Sequence, residues 1–353
     1  MKKIITLMLC AAAAVPAFAS IRVTVKGEGA PKMLKYQYAA VADMAASTRP
    51  VTDSVPFSNG VAVIDKNVTA PTFFSLNFGG RNYISLYELP GDKINVEVSA
   101  MDPFQAKASG SVTVEDINAI NDMTAPIIKT INEAKDDASR NAGIEQYNKA
   151  LGAWIESHAA SPAVGMALLN MTTEAFNDQY AKMGESAKNS ALWPLVERQK
   201  KSNEARAEKE RKQAELASGD KMAPDFTLKD INGKDLALSS LRGKWLIIDF
   251  WGSWCKWCIK GFPDLKEAYK KYAGRLEILG VDNGDTEEAW KAAVKRFELP
   301  WLQVYNPKDS NVLDLYGVQG FPTKAIITPE GKVAAIVVGE DPAFFTKLDE
   351  LMK

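Results

Sequence analysis

One stretch decides what this chain can fold into: Asp249-Phe250-Trp251-Gly252-Ser253-Trp254-Cys255-Lys256-Trp257-Cys258. Before it runs Trp245-Leu246-Ile247-Ile248, short, apolar and rich in β-branched and aromatic residues, as a parallel strand buried on both faces requires. After it, from Ile259 to Tyr269, leucine and aromatic positions fall at helical spacing. The two cysteines therefore stand where a strand ends and a helix begins. Unpaired N–H groups and the dipole at a helix N-terminus favour a thiolate over a thiol. Cys255 is expected at that terminus and more exposed. Cys258, on the same side, can close a disulfide with it or resolve a mixed one. A zinc site is the competing reading of C-x-x-C, but it wants about four ligands. Beyond Cys10 the chain has only these two cysteines and one histidine, His158, about a hundred residues away.

The motif resembles the active site of the thioredoxin superfamily, and most closely its extracytoplasmic TlpA/ResA-like thiol-disulfide oxidoreductases. Ala223-Pro224-Asp225-Phe226-Thr227-Leu228 and Leu241-Arg242-Gly243-Lys244 resemble the lead-in of that branch, and the likeness covers about residues 221–353. It implies an α/β thioredoxin-like domain, with Cys255 as nucleophile and Cys258 as resolving cysteine. Asp249 matches the buried acid of thioredoxins, whose carboxyl would have a raised pKa and take the Cys258 proton. Pro322, in Gly320-Phe321-Pro322-Thr323, matches the cis-proline that faces the dithiol. A cis bond there would expose the Phe321 backbone to an extended substrate strand. Trp254, Lys256, Trp257, Phe321, Pro322 and Thr323 are the expected substrate-binding residues. Two departures stand out. Lys256-Trp257 replaces the Gly-Pro of thioredoxin; the lysine favours the Cys255 thiolate and hence a less reducing pair. And no lysine occurs in the strand around Ile278, where thioredoxins carry one near the buried acid.

The rest of the chain is read in order. Residues 1–19 have the form of a cleaved signal peptide: Lys2 and Lys3, an apolar run from Ile4 to Val15, then Ala17-Phe18-Ala19. Cys10 follows Leu9, where a lipobox wants a small residue, so it is assigned to the discarded signal. Residues 20–110 suggest a small antiparallel β-sandwich, from alternation at Ile21, Val23 and Val25, an Asn59-Gly60 hairpin turn and a turn at Leu89 to Lys93. This segment loosely resembles a β domain that precedes thioredoxin-like domains in secreted Bacteroidetes proteins, and reads as a spacer or docking module. Residues 111–220 are expected to be a helical region and linker. Apolar stripes run through Ile117, Ile120, Ile127, Ile128 and Ile131, and through Ile144, Tyr147, Leu151, Trp154 and Ile155. Ser161-Pro162 opens a helix. A charged run from Trp193 to Leu216 is expected to be a solvated helix with Glu197/Lys201 and Glu208/Lys212 pairs. His158 reads as a surface or capping histidine.

In 221–353 the expected order is a hairpin about Asn232-Gly233, a turn capped by Ser239 or Ser240, then βαβα and ββα. Asp285 with Glu288 is expected to cap the helix that runs to Phe297. A formal net charge of −1 argues against nucleic acid as a partner, and 46% hydrophobic residues fit globular cores. The expected activity is thiol–disulfide exchange with protein thiols and disulfides, most simply as a reductase, with no cofactor and with an unidentified extracytoplasmic or membrane redox partner. The alternatives are a disulfide oxidase or isomerase, and a thioredoxin-fold binding module that does not turn over. A peroxidase is disfavoured because neither cysteine lies in a P-x-x-x-[ST]-x-x-C pattern.

Overall fold

The protein is described from a computed structural model, in residues 20–27, 31–66, 68–79, 83–99 and 106–353. The expected signal peptide, Cys10 included, lies outside the described residues. The chain forms two compact units, one up to Ser202 and one from Asn203. No helix among the described residues is long and apolar enough to cross a membrane.

The first unit opens with two four-stranded sheets. One takes β2 (Met33–Ala40), β3 (Val51–Pro56), β5 (Thr72–Asn77) and β6 (Tyr83–Glu88) in the order β3-β2-β5-β6. The other takes β1 (Ser20–Lys26), β4 (Val61–Asp65), β7 (Lys93–Ser99) and β8 (Lys107–Ser109) in the order β4-β1-β7-β8. Every pair in the first sheet is antiparallel, whereas β1 and β7 in the second run parallel. Ile21, Val23, Ile94 and Val96 from one sheet and Leu34, Tyr36, Phe74 and Leu76 from the other share one core, so the strands alternate buried and exposed positions. Asn59 and Gly60 do make the tight turn, both with positive φ, and Ser58 bridges Val61 across it. The strands it joins, β3 and β4, nevertheless belong to different sheets: the turn is a corner between layers rather than a hairpin within one.

The helical part follows. Short α1 (Val41–Ala45) lies earlier, after β2; α2 (Val112–Glu133) and α3 (Asp137–Ser157) pack as an antiparallel pair beside α4 (Val164–Leu169), α5 (Thr173–Tyr180) and α6 (Glu185–Lys188). Ser111 caps α2, and Ile120, Leu151, Trp154 and Ile155 are buried together, while Ile128 points outward. Ser161 precedes α4 by more than one residue, and its hydroxyl accepts the Ala163 N–H and donates to Asp116. His158 caps α3 and stacks on Trp154 at 4.4 Å between ring centroids. The charged helix α7 (Trp193–Leu216) forms, but its pairings differ from the expected ones. Glu197 accepts from Trp193 Nε1 and Tyr180 Oη, and Glu208 pairs with Arg211.

The second unit is built on a seven-stranded sheet in the order β10-β9-β13-β12-β11-β14-β15. Its strands are β9 (Thr227–Asp230), β10 (Asp235–Ala237), β11 (Trp245–Trp251), β12 (Leu276–Asp282), β13 (Leu302–Tyr305), β14 (Thr323–Ile327) and β15 (Val333–Val338). β11, β12 and β13 are parallel neighbours; the other pairings are antiparallel. The helices are α8 (Lys256–Lys271), α9 (Glu287–Arg296), α10 (Val312–Leu315) and α11 (Ala343–Leu351). β11 is apolar at every position but Asp249 because both of its faces are covered. Ile247 and Trp251 pack with Phe262 and Leu265 of α8, Trp290 of α9 and Phe344 of α11. Leu246, Ile248 and Phe250 pack on the opposite face with Phe226, Val312 and Tyr316. The 3₁₀ turn at Leu238–Leu241 is not capped by Ser239 or Ser240: the Ser239 N–H donates to Asp225, and the Ser240 hydroxyl donates to the Ala237 carbonyl.

Candidate redox site

β11 delivers the chain to the C-terminal edge of the sheet, and a three-residue loop, Gly252-Ser253-Trp254, turns it into α8. Gly252 is required there, since a Cβ would lie 2.5 Å from Trp254 Nε1 and 2.7 Å from the Asn283 carbonyl. Cys255 is the N-cap of α8, and its Sγ accepts the Cys258 N–H at 3.1 Å. Cys255 and Cys258 form a disulfide with a Cα separation of 5.3 Å. Cys255 is the more exposed of the two, as expected, but only 5% exposed. Both sulfurs are thus largely covered, at a helix N-terminus whose backbone donors stabilise a thiolate.

The surroundings are aromatic. Trp254 and Trp257 are 53% and 61% exposed, large for tryptophan. Trp254 donates to the Asn283 carbonyl and meets Phe321 edge-to-face at 5.4 Å. Lys260 lies over the Trp257 ring at 5.0 Å, and Lys256 is exposed beside it. The Phe321–Pro322 peptide bond is cis. Phe321 is half-buried, and Pro322 is buried with its carbonyl accepting the Gly339 N–H. Thr323 needs a correction: it is fully buried and its hydroxyl donates to the Gly320 carbonyl at 2.8 Å. Its side chain fixes the turn before β14 and does not face a substrate.

Asp249 lies beneath the pair on the α8 side of β11, on the face of Ile247 and Trp251. It is buried, and its Oδ1 has no hydrogen-bond partner. Burial pushes its carboxyl up to about 6, with Lys324 pulling down and Glu340 pushing up. The lysine missing from β12 thus comes from the other neighbour of β11. Lys324 of β14 stands opposite Asp249 in register, and Gly280 stands opposite on β12.

Two more carboxyl groups lie by the loop, one of them holding it, and the sequence assigned neither to it. Asp285 does not cap α9; that cap is Thr286, whose hydroxyl accepts the Ala289 N–H. Asp285 instead accepts from the Ser253 N–H at 2.7 Å and the Ser253 hydroxyl at 2.6 Å, clamping the loop between β11 and α8. Asp282, opposite Trp251 in register, is fully buried. Burial, then the neighbouring Asp285 carboxylate, push its carboxyl up to about 8, and neither of its oxygens has a hydrogen-bond partner. Trp251 is fixed by donating Nε1 to Gln303 Oε1 at 3.1 Å, and Gln303 fits only because Gly280 has no side chain. The one signal available in the sequence was Asp282 at the end of a parallel strand, the edge at which open α/β sheets place ligands. Among the described residues no three His, Cys, Asp or Glu side chains converge as a metal-binding group.

Comparison with known proteins adds the following. A family profile described as the AhpC/TSA family matches residues 220–336. The thiol-disulfide oxidoreductase ResA of Bacillus subtilis is 40% identical over 118 residues, 33% of this chain and 65% of that protein. The ResA of Bacillus cereus is 38% identical over 121 residues, 34% of this chain and 69% of that protein. The crystal structure of the thioredoxin domain of a thiol-disulfide oxidoreductase from Bacteroides vulgatus is 32% identical, covers 39% of this chain and 99% of that one, and superposes with a TM-score of 0.37. The profile falls within the second unit.

Proposed function

The chain belongs to the ResA-like thiol-disulfide oxidoreductases of the thioredoxin superfamily, and on that footing we propose that it reduces disulfides of protein partners outside the cytoplasm by exchange at Cys255 and Cys258. The observation that carries this reading is the cysteine pair at the α8 N-terminus with a buried carboxyl, Asp249, on the same face of the sheet. In the reduced enzyme the Cys255 thiolate attacks a substrate disulfide, releasing one substrate thiolate and forming a mixed disulfide. Cys258 then gives its proton to Asp249 and its sulfur attacks Cys255, which releases the second substrate sulfur and closes Cys255–Cys258. Two electrons pass from the enzyme pair to the substrate bond. The backbone of Phe321 beside cis-Pro322 pairs with the substrate strand, and Trp254, Lys256 and Trp257 contact its side chains. Export rests on the order of charge, apolar run and small residues in positions 1–19. A redox partner outside the cytoplasm returns the pair to the dithiol, and the N-terminal unit serves as a spacer or docking module.

One feature favours the opposite direction. Lys256 lies between the cysteines at the helix N-terminus, and a cation there stabilises the reduced thiolate and makes the disulfide more oxidising. The reduction potential separates the two readings. A value near about −270 mV supports a reductase, and one near about −120 mV makes the protein an oxidant or isomerase. Failure of the pair to form a disulfide at any potential, or no acceleration of insulin reduction by dithiothreitol, would leave only a binding module. Cys258→Ser is expected to accumulate a mixed disulfide through Cys255 that mass spectrometry detects, and Cys255→Ser is expected to trap nothing.

A further inference from the structure

Three charged side chains meet under the first turns of α8. Asp249 and Lys324 face each other across the β11–β14 ladder, on the side that carries Ile247, Trp251 and Ile326 into the core containing Cys258. Lys324 donates from Nζ to Glu340 Oε2 at 2.8 Å, with the two side chains only 3% and 13% exposed. The Glu340 carboxylate is pressed against the helix itself. A Cβ at residue 261, one turn beyond Cys258, would lie 2.3 Å from Oε2 and 2.6 Å from Oε1, so any side chain there would displace the Glu340 carboxylate. The ammonium also lies over the Phe344 ring, 5.6 Å from its centroid. Asp249 Oδ1 has no partner. The ammonium is thus hydrogen-bonded to Glu340, although Asp249 is its register neighbour.

The groups around Asp249 can be named element by element. Lys324 on β14 and Gly280 on β12 stand opposite it, the segment after β15 brings Glu340 to Lys324, and α8 and α11 bring Cys258 and Phe344 to the core on that face of the sheet. We propose that the Lys324–Glu340 pair is a positioning device for Asp249: Glu340 holds the ammonium back, so that the Asp249 carboxylate keeps the proton affinity needed to deprotonate Cys258. The pair thereby sets the pH at which a mixed disulfide is resolved. This rests on the exchange reading above. In the step concerned, the Cys258 S–H proton moves to an Asp249 oxygen. The Cys258 sulfur bonds to Cys255, the bond from Cys255 to the substrate breaks, and the substrate sulfur leaves as a thiolate that takes a proton from solvent. The oxidant is the substrate disulfide itself.

Electrostatics gives the sign for each substitution. Glu340→Gln removes a negative charge and frees the ammonium to turn to Asp249; an opposite charge at contact distance lowers a carboxyl's midpoint by about one unit or more. Lys324→Met removes the cation and raises the midpoint. Lys324→Met combined with Glu340→Gln leaves neither charge buried alone, and raises it less than Lys324→Met does. The test uses the full chain with ¹³C-labelled aspartate, following the Asp249 carboxyl by NMR across pH. In parallel, the pH profile of resolution is read from release of a thionitrobenzoate group preloaded on Cys255. The expected result is a lower midpoint in Glu340→Gln, a higher one in Lys324→Met, and an acid limb of the resolution profile that moves with each. An Asp249 midpoint that stays put in folded single variants overturns the proposal. If the single variants do not fold, a double variant whose midpoint is unchanged or lower overturns it equally. A wild-type protein that does not exchange thiols, with Asp249 midpoints that move as stated, defeats the exchange reading and leaves the charge device standing.

Discussion

Replacing Asp249 with asparagine should make the oxidised protein more stable at neutral pH while impairing it as an enzyme. The carboxyl is pushed from 3.8 up to about 6 by burial, and each unit of difference is worth about 1.4 kcal/mol. A carboxyl whose folded midpoint lies above its unfolded one binds more protons in the folded state between those values. Its penalty is therefore absent below about pH 4, grows as pH rises towards 6 and is complete above it, at about 3 kcal/mol. Asparagine carries no such penalty, but its amide places donors where Asp249 Oδ1 finds no partner, an unsatisfied-group cost of about 1–3 kcal/mol. That second cost does not change with pH, so the difference between two pH values isolates the first. Between pH 4 and pH 7.5 the stability of Asp249→Asn relative to wild type should rise by about 2 kcal/mol. Urea unfolding followed by tryptophan fluorescence reads the right part of the molecule, since six of the eight tryptophans lie between residues 245 and 301. A stability difference that stays constant from pH 4 to pH 7.5 would show that folding does not raise the Asp249 midpoint, and the proton-acceptor role would go with it.

Three further outcomes are expected. Asp285→Ala strips the Ser253 N–H and hydroxyl of their acceptor and should cost about 1–3 kcal/mol in denaturant unfolding and slow insulin reduction, with Ser253→Ala reproducing only part of the loss. Asp282→Asn should gain stability over wild type as pH rises from about 4 to the Asp282 midpoint of about 8 and level off above it. Wild-type exchange rates should change near that midpoint and those of the variant should not, which a stopped-flow pH series checks. Trp257→Ala should leave the melting temperature almost unmoved, because the side chain is 61% exposed. It should still lower the rate with protein disulfides while sparing a small disulfide such as oxidised glutathione; equal losses on both would refute its assignment to substrate contact.

The parts of the fold that could be read in advance are those governed by local chemistry. β11 was visible because a strand covered on both faces has to be apolar at consecutive positions, from Leu246 to Ile248. The Asn59-Gly60 turn was visible because both residues tolerate positive φ. Its meaning was not: whether β3 and β4 pair or part company depends on which strands wait on either side, and β2 and β1 are the better partners. The parallel pairing of β1 with β7 is of the same kind, joining residues some seventy positions apart with no local mark. Caps slipped where two polar residues competed. Thr286 took the α9 terminus because Asp285, one residue earlier, is engaged by the Ser253 N–H and hydroxyl, and a carboxylate is the stronger acceptor for that pair.

The site divides along the same line. Cys255 and Cys258 could be found from spacing alone, and Asp249 from its distance to them along one strand. The groups that set the behaviour of Asp249 could not, because a residue in a central strand has two cross-strand neighbours and the sequence marks neither. A lysine was sought on the β12 side, where Gly280 stands; the charge comes from the β14 side, as Lys324. Lys324 is two residues beyond cis-Pro322, so the strand that opens at the cis bond also carries the cation opposite Asp249. Gly339, whose N–H donates to the Pro322 carbonyl at 2.7 Å, is in turn the residue before Glu340. The Lys324–Glu340 pair is thus tied to cis-Pro322 at both ends, through two residues of β14 on one side and through the Gly339 N–H bond to the Pro322 carbonyl on the other, whereas a lysine on β12 would carry no such tie.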